Sequence, residues 1–410
     1  MPAGQLRIAM LSAHSCPLGQ PGAKDTGGMS VYIRELAGEL GKQGHSVDVF
    51  TRVHDVKDNQ IYSLGQNARL IHLKAGEGEE IHKLAVYSHL PDFACNLENF
   101  RKQNNLQYDL VFSHYWLSAW VGQYLERWWH IPHITMFHTL GAVKNTFGIG
   151  EDEPQLRIEM ERDLAQNCHH IIAPTEKEKE ALVRHYGASP ERISVIPCGV
   201  NLELFQPVDK ELARRELGFT DSKLILFVGR IEPLKGIDQL LQAIPYLPNT
   251  EGLRLVIIGG DEHNQDEMER LQELSRSLHI QDAVTFLGLV KQERMPYFYS
   301  AADVCVVPSY YESFCLVVLE SLACGTPVVG TDVGDLRDVI RQGETGYIVS
   351  GNSPHQLADK IALLLSQPRR DTESTLAIRA SVSRFSWSNV AETIIREFQL
   401  VLAKYVAPVS

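Results

Sequence analysis

Three short segments of this 410-residue sequence carry residue types that hold charged groups and polyols. The first is Asp25-Thr26-Gly27-Gly28, two adjacent glycines just ahead of an apolar-periodic stretch that starts near Ser30. Paired glycines at a strand-to-helix turn let backbone N–H groups and a helix N-terminus approach a phosphate closely. The second is Gly229-Arg230-Ile231-Glu232-Pro233-Leu234-Lys235-Gly236, with two cations five residues apart. At the carboxyl end of a strand they would clamp a diphosphate, Arg by its planar fork and Lys as a point charge. The third runs from Glu312 through Ser313-Phe314-Cys315-Leu316 to Glu320. On a loop entering a helix, Glu312 precedes the N-terminus and Glu320 lies a little over two turns along. Two carboxylates that accept from hydroxyls, with backbone N–H groups between them, suit a polyhydroxylated, phosphorylated ligand. Taken singly, each segment also reads as a glycine turn, a solvated loop or a pair of ordinary helix charges.

The elements that must position these segments are legible as alternating β-branched runs and longer amphipathic stretches, the pattern of parallel sheets with crossover helices. In the first half, strands are predicted at Arg7–Ser12, Val47–Thr51, Arg69–Lys74, Leu110–Ser113, His133–Phe137, His170–Pro174 and Ile193–Pro197, with helices such as Ser30–Gln43 and Leu117–Trp129 between them. A second series follows at Leu224–Val228, Leu253–Ile258, Val284–Leu287, Val304–Val307, Val328–Thr331 and Gly346–Val349. A chain of this length exceeds what one core usually supports. We therefore expect an α/β protein of two doubly wound, Rossmann-like domains, residues 1–200 and 201–386, joined at the Gly- and Pro-marked Cys198–Pro207. The long amphipathic stretch from Trp387, within 387–410, is expected to pack back on the first domain. Such sheets bind ligands at their strands' carboxyl ends, here the cleft between the domains.

Composition narrows the class further. The formal net charge is −12, from 39 basic and 51 acidic side chains, which argues against a nucleic-acid binder. No apolar run nears the roughly 18–20 residues that cross a bilayer, and Met1–Ser12 reads as a strand and not as an export signal. Seven scattered cysteines with no C-x-x-C pair fit reduced thiols, so a cytoplasmic location is expected. Cys168-His169-His170 is metal-like in composition, but strand neighbours point to opposite faces. G-x-G-x-x-G, the P-loop and G-x-S-x-G are all missing, which disfavours dinucleotide oxidoreductases, P-loop NTPases and α/β-hydrolases.

In combination and in this order, the segments resemble the retaining, nucleotide-sugar-dependent glycosyltransferases of family 4, which have the GT-B fold. The resemblance runs from Gly27-Gly28 to the Phe385-Ser386-Trp387 ahead of the last helix. It implies that Gly27, Gly28, Arg230 and Lys235 hold the diphosphate of a UDP-sugar, with the N–H groups around Cys315, Leu316 and Val317. Cys315 stands where the family usually has Gly. Glu312 would bind the sugar hydroxyls, Glu320 the ribose, and His138 would sit near the anomeric carbon. No cofactor is implied as obligatory: no D-x-D motif is evident, and Mg is compatible but not required.

The first-domain segments Gln20–Ile33, Ser113–Gly122 and His138–Asn145 are similar to those of the inositol-phosphate N-acetylglucosaminyltransferases of mycothiol synthesis, and the DTGG turn is shared with sucrose-phosphate synthases. Both take a phosphorylated acceptor, so the resemblance implies an acceptor site of Ser30, Lys83, Tyr115, Thr139, Lys144 and Arg157. Taken singly, Tyr115 also reads as a strand-end aromatic, Lys83 and Arg157 as surface charges, and Thr139 as a helix cap. The inositol enzymes have Asn where this chain has Ser30, which favours fructose 6-phosphate over inositol phosphate. The departing diphosphate, neutralised by Arg230, Lys235 and backbone dipoles, would stabilise the oxocarbenium ion and take the acceptor proton on the same face. A GT-B epimerase or a non-catalytic sugar-phosphate sensor are the other classes considered. The first lacks its carboxylates here, and the second would have lost the donor set.

Overall fold

Along the first strand, Ile8 and Met10 pack into one apolar layer and Ala9 and Leu11 into the layer opposite, all four fully buried. A strand covered on both faces is what its continuous apolar run requires. The computed structural model describes residues 4–406 except 23–25, 56, 58, 77–80, 82, 221, 262–263 and 369. Asp25 of the glycine turn, residues 1–3 of the first domain and 407–410 of the final stretch therefore lie outside the described residues.

The first sheet holds β1 (Arg7–Leu11), β2 (Ser46–Arg52), β3 (Ile61–Gly65), β4 (Ala68–Leu73), β5 (Leu110–His114), β6 (His133–Met136), β7 (His170–Ala173) and β8 (Ile193–Val195). Their spatial order is β3-β4-β2-β1-β5-β6-β7-β8. The second sheet holds β9 (Lys223–Val228), β10 (Leu253–Ile258), β11 (Val284–Gly288), β12 (Val304–Val307), β13 (Val328–Thr331) and β14 (Gly346–Val349), in the order β11-β10-β9-β12-β13-β14. Both are doubly wound, with the order reversing beside β1 and beside β9, and those switch points face the cleft. All predicted strands are present within a residue or two. One was missed: β3 pairs antiparallel with β4 at the sheet edge, and its alternating, half-exposed side chains give no apolar run to read.

The final helix, Trp387–Val406, lies against the helix Gly28–Lys42, and Trp387, Val390, Ala391, Ile394 and Phe398 join the same core layer as Tyr32, Leu36 and Leu40. Val200 bridges to Ser386, its N–H donating to the Phe385 carbonyl at 2.8 Å, so the chain leaves and rejoins the first layer at adjacent points. Across the cleft, Lys177 Nζ is 2.9 Å from Asp332 Oδ1, Ser313 Oγ donates to Glu178, and the Leu140 N–H donates to Tyr311 Oη at 3.3 Å. Among the described residues no helix is long and apolar enough to cross a membrane.

Candidate active site

A cleft of about 670 Å³ opens between the two sheets, lined by residues from both. Its first-domain wall is made where β1, β5 and β6 end. After β1, Gly27 caps the helix Gly28–Lys42, whose first N–H groups have no partner within the helix. An ideal Cβ on Gly27 would lie 3.6 Å from Arg230 Nε, so the glycine turn of one domain meets the Arg230 side chain of the other directly.

Arg230 and Lys235 follow β9, and both line the cleft. Arg230 pairs with Glu232 Oε1 at 2.5 Å, and Lys235 Nζ with Glu312 Oε1 at 2.8 Å. Ser309 Oγ donates to the same Glu312 oxygen at 2.8 Å. Gly236 makes this turn possible: its φ of +65° is left-handed, and a Cβ there would lie 2.0 Å from the Pro308 carbonyl oxygen. Glu320 accepts from Tyr299 Oη at 2.6 Å, and burial pushes its carboxyl up to about 7. Between the glutamates, Cys315 caps the helix Leu316–Ala323 with φ −104°, a conformation any residue adopts. Cys in place of Gly thus leaves this turn unstrained, and burial pushes its thiol well up.

His138 follows β6 with φ +62° and Tyr115 follows β5 with φ +73°, both left-handed without being glycine. Such strain persists only where surroundings impose it, and it gathers at functional sites. His138 Nε2 lies 2.9 Å from His114 Nδ1, and Tyr32 packs edge-on against both rings. Burial lowers the His138 pKa to about 3, which makes it a neutral imidazole at physiological pH.

The expected acceptor residues converge around a carboxylate that the sequence reading did not include. Glu153 Oε1 accepts from Arg157 at 2.9 Å and from Lys144, with Lys83 Nζ at 3.9 Å. Burial would raise its carboxyl, but the charges of Arg157 and Lys83 and the bond from Lys144 hold it at about 2. Arg157 also bonds Glu161 Oε1 at 2.6 Å and both Thr139 oxygens, carbonyl at 2.8 Å and hydroxyl at 3.0 Å, and lies 4.7 Å over the Tyr115 ring. Arg157 is thus a fully buried side chain and not the surface charge it could have been. The spacing Glu153-x3-Arg157-x3-Glu161, one side of a helix start, was the signal available in the sequence. Ser30 stands apart from this cluster: it is buried, its hydroxyl lies 2.6 Å from Ser15 Oγ, and its neighbours Met29 and Val31 line the cleft.

Comparison with known proteins places this geometry. Residues 26–204 match the model "Glycosyltransferase Family 4" and residues 209–380 match "Glycosyl transferases group 1". The chain is 37% identical over 395 residues to a D-inositol 3-phosphate glycosyltransferase of Corynebacterium glutamicum, covering 94% of each. It superposes on a sucrose-phosphate synthase from Thermosynechococcus elongatus with a TM-score of 0.88 at 32% identity, covering 98% of this chain and 100% of that one. Anabaena HepE, in a complex with UDP and glucose, shares the fold with a TM-score of 0.75 at 18% identity, over 96% of this chain and all of that one.

Proposed function

The chain belongs to the GT-B glycosyltransferases, and from that premise we propose that it moves a glucosyl group from UDP-glucose to fructose 6-phosphate, with retention, giving sucrose 6-phosphate. The observation that carries the reading is the acceptor pocket: Lys83, Lys144 and Arg157 converge on one point beside the Thr139 and Tyr115 hydroxyls. Three cations on one wall of the cleft suit a phosphate dianion, and a neutral sugar would leave them with Glu153 and, for Arg157, Glu161 as their only counter-charges. The likeness to the sucrose-phosphate synthase supports the acceptor.

In this reading Arg230 and Lys235 neutralise charge on the departing diphosphate, and the free N–H groups at Gly28, Leu316 and Val317 complete its cradle. Glu312 orients the sugar hydroxyls, Glu320 the ribose, and neutral His138 lies at the anomeric carbon. The acceptor hydroxyl gives its proton to the leaving diphosphate oxygen as the new C–O bond forms on the same face. Because all seven cysteines are free thiols, we place the enzyme in the reducing cytoplasm.

A second reading, transfer of N-acetylglucosamine to an inositol phosphate, is favoured by the 37% identity to the corynebacterial enzyme. The deciding experiment offers UDP-glucose and UDP-N-acetylglucosamine separately against fructose 6-phosphate and inositol phosphates, and identifies products by NMR. We expect sucrose 6-phosphate from UDP-glucose. Turnover confined to UDP-N-acetylglucosamine with an inositol phosphate would replace the first reading by the second.

A further inference from the structure

Behind the cleft, three segments bring Cys16, His54 and His72 together at the carboxyl ends of β1, β2 and β4. One ligand atom of each lies within 4.8 Å of the other two. We propose that these three side chains form a binding site for a zinc-class divalent cation, separate from the donor and acceptor residues.

The geometry supports this beyond mere proximity. Cys16 Sγ lies 3.6 Å from His72 Nε2. For a tetrahedral ion with Zn–S of about 2.3 Å and Zn–N of about 2.0–2.1 Å, the sulfur–nitrogen separation works out at about 3.5 Å. The rings are also oriented as metal-bound imidazoles are. His72 Nδ1 lies 3.1 Å from the Asn59 carbonyl oxygen, and His54 Nε2 lies 3.3 Å from the His14 carbonyl oxygen. An N–H directed to a carbonyl fixes the tautomer and presents the other nitrogen as the ligand, the usual outer arrangement of zinc-bound histidine. The edge of Tyr62 packs on the His72 ring at 5.4 Å and holds its plane. A thiolate with two imidazoles is a borderline-soft set that selects zinc over magnesium or calcium.

Three protein ligands leave one position of a tetrahedral ion for water. The consequence is positional. Cys16 opens the turn closed by Gly19 N–H to the Cys16 carbonyl at 3.0 Å, on the segment that runs on to Gly27 and Gly28. An ion there would tie this segment to β2 and β4. The ligands come from segments 38 and 18 residues apart, so no short motif announces them.

The test titrates the metal-free full chain with Co²⁺, then competes with Zn²⁺. One equivalent should give a thiolate-to-cobalt charge-transfer band with tetrahedral d–d bands, displaced by stoichiometric zinc. Cys16→Ser should abolish the charge-transfer band, and His54→Ala should weaken binding at least tenfold. Cys95→Ser, at an exposed free cysteine, should leave the spectrum unchanged. Circular dichroism of the metal-free variants checks that each is folded. No thiolate band at one equivalent, or a band that survives in folded Cys16→Ser, overturns the proposal.

Discussion

Lys235 Nζ and Glu312 Oε1 stand 2.8 Å apart, so the residues assigned to the leaving diphosphate and to the sugar hydroxyls are hydrogen-bonded to each other. The pair fixes each side chain before a donor arrives, which spares the reaction the reorganisation of two flexible groups. Lys235→Ala should therefore damage more than the diphosphate contact, since it also releases Glu312. We expect kcat to fall by roughly 10²–10³ for Arg230→Ala, about 2.7–4 kcal/mol of transition-state stabilisation, and by at least as much for Lys235→Ala. Steady-state kinetics with saturating donor checks this, and near-normal turnover in both variants contradicts the clamp.

Glu153 gives a prediction with two observables of opposite sign. It is an ionised carboxylate inside the cation cluster that the acceptor phosphate is proposed to use. Glu153→Gln removes the competing negative charge, so the acceptor KM should fall. The same change leaves Lys144 and Arg157 short of a buried anion, so unfolding free energy should drop by about 3 kcal/mol. Denaturant melts and acceptor titrations report the two effects. A raised acceptor KM would instead make Glu153 a ligand of the acceptor hydroxyls.

Stability should peak near pH 6.5–7. Burial lowers the pKa of His14, His133 and His138 from 6.5 to about 3, and that of His45, His114 and His170 also downward. Below pH 6.5 the unfolded chain takes up protons that these rings refuse when folded, so their contribution is present above 6.5 and lost as pH falls toward 3. Burial raises Glu178 and Glu320 to about 7 and Asp335 to about 8. For these the folded state holds protons that the unfolded chain releases above about 4.5, so stability is lost as pH rises toward 8. Six histidines outweigh three carboxyls below pH 6.5, and from there to about pH 8 the carboxyls dominate; the buried thiols, pushed up, and Lys210, pushed down to about 8, act above that and in opposite directions. Thermal melts from pH 5 to 8.5 should show a Tm maximum near neutrality; a Tm that climbs steadily to pH 8.5 would contradict this balance.

The strands, and the loop that brings Arg230 and Lys235 to the cleft, were legible because they obey local rules. LILFV at β9 is a continuous apolar run, and Arg230 and Lys235 follow it within one short loop. The parts that escaped are set by tertiary neighbours. Ser30 sits one turn into a helix whose start touches the cleft, yet its hydroxyl turns inward to Ser15, a partner fifteen residues earlier. Glu153 matters because Lys83 reaches it from seventy residues away. β3 is paired only along an edge and half-exposed, so it lacks the hydrophobic signature that identified the rest.

The most direct test of the account compares kcat/KM for fructose 6-phosphate with that for free fructose, in the natural chain and in Arg157→Ala, with UDP-glucose as donor. Arg157 contacts Thr139, Glu153, Glu161 and the Tyr115 face at once, so its removal dismantles the proposed phosphate pocket while leaving Arg230, Lys235 and Glu320 in place. The natural enzyme should favour the phosphorylated sugar by at least a hundredfold. In Arg157→Ala that preference should collapse through a raised acceptor KM, with UDP affinity unchanged. Equal use of fructose and fructose 6-phosphate by the natural enzyme would contradict the phosphorylated-acceptor assignment.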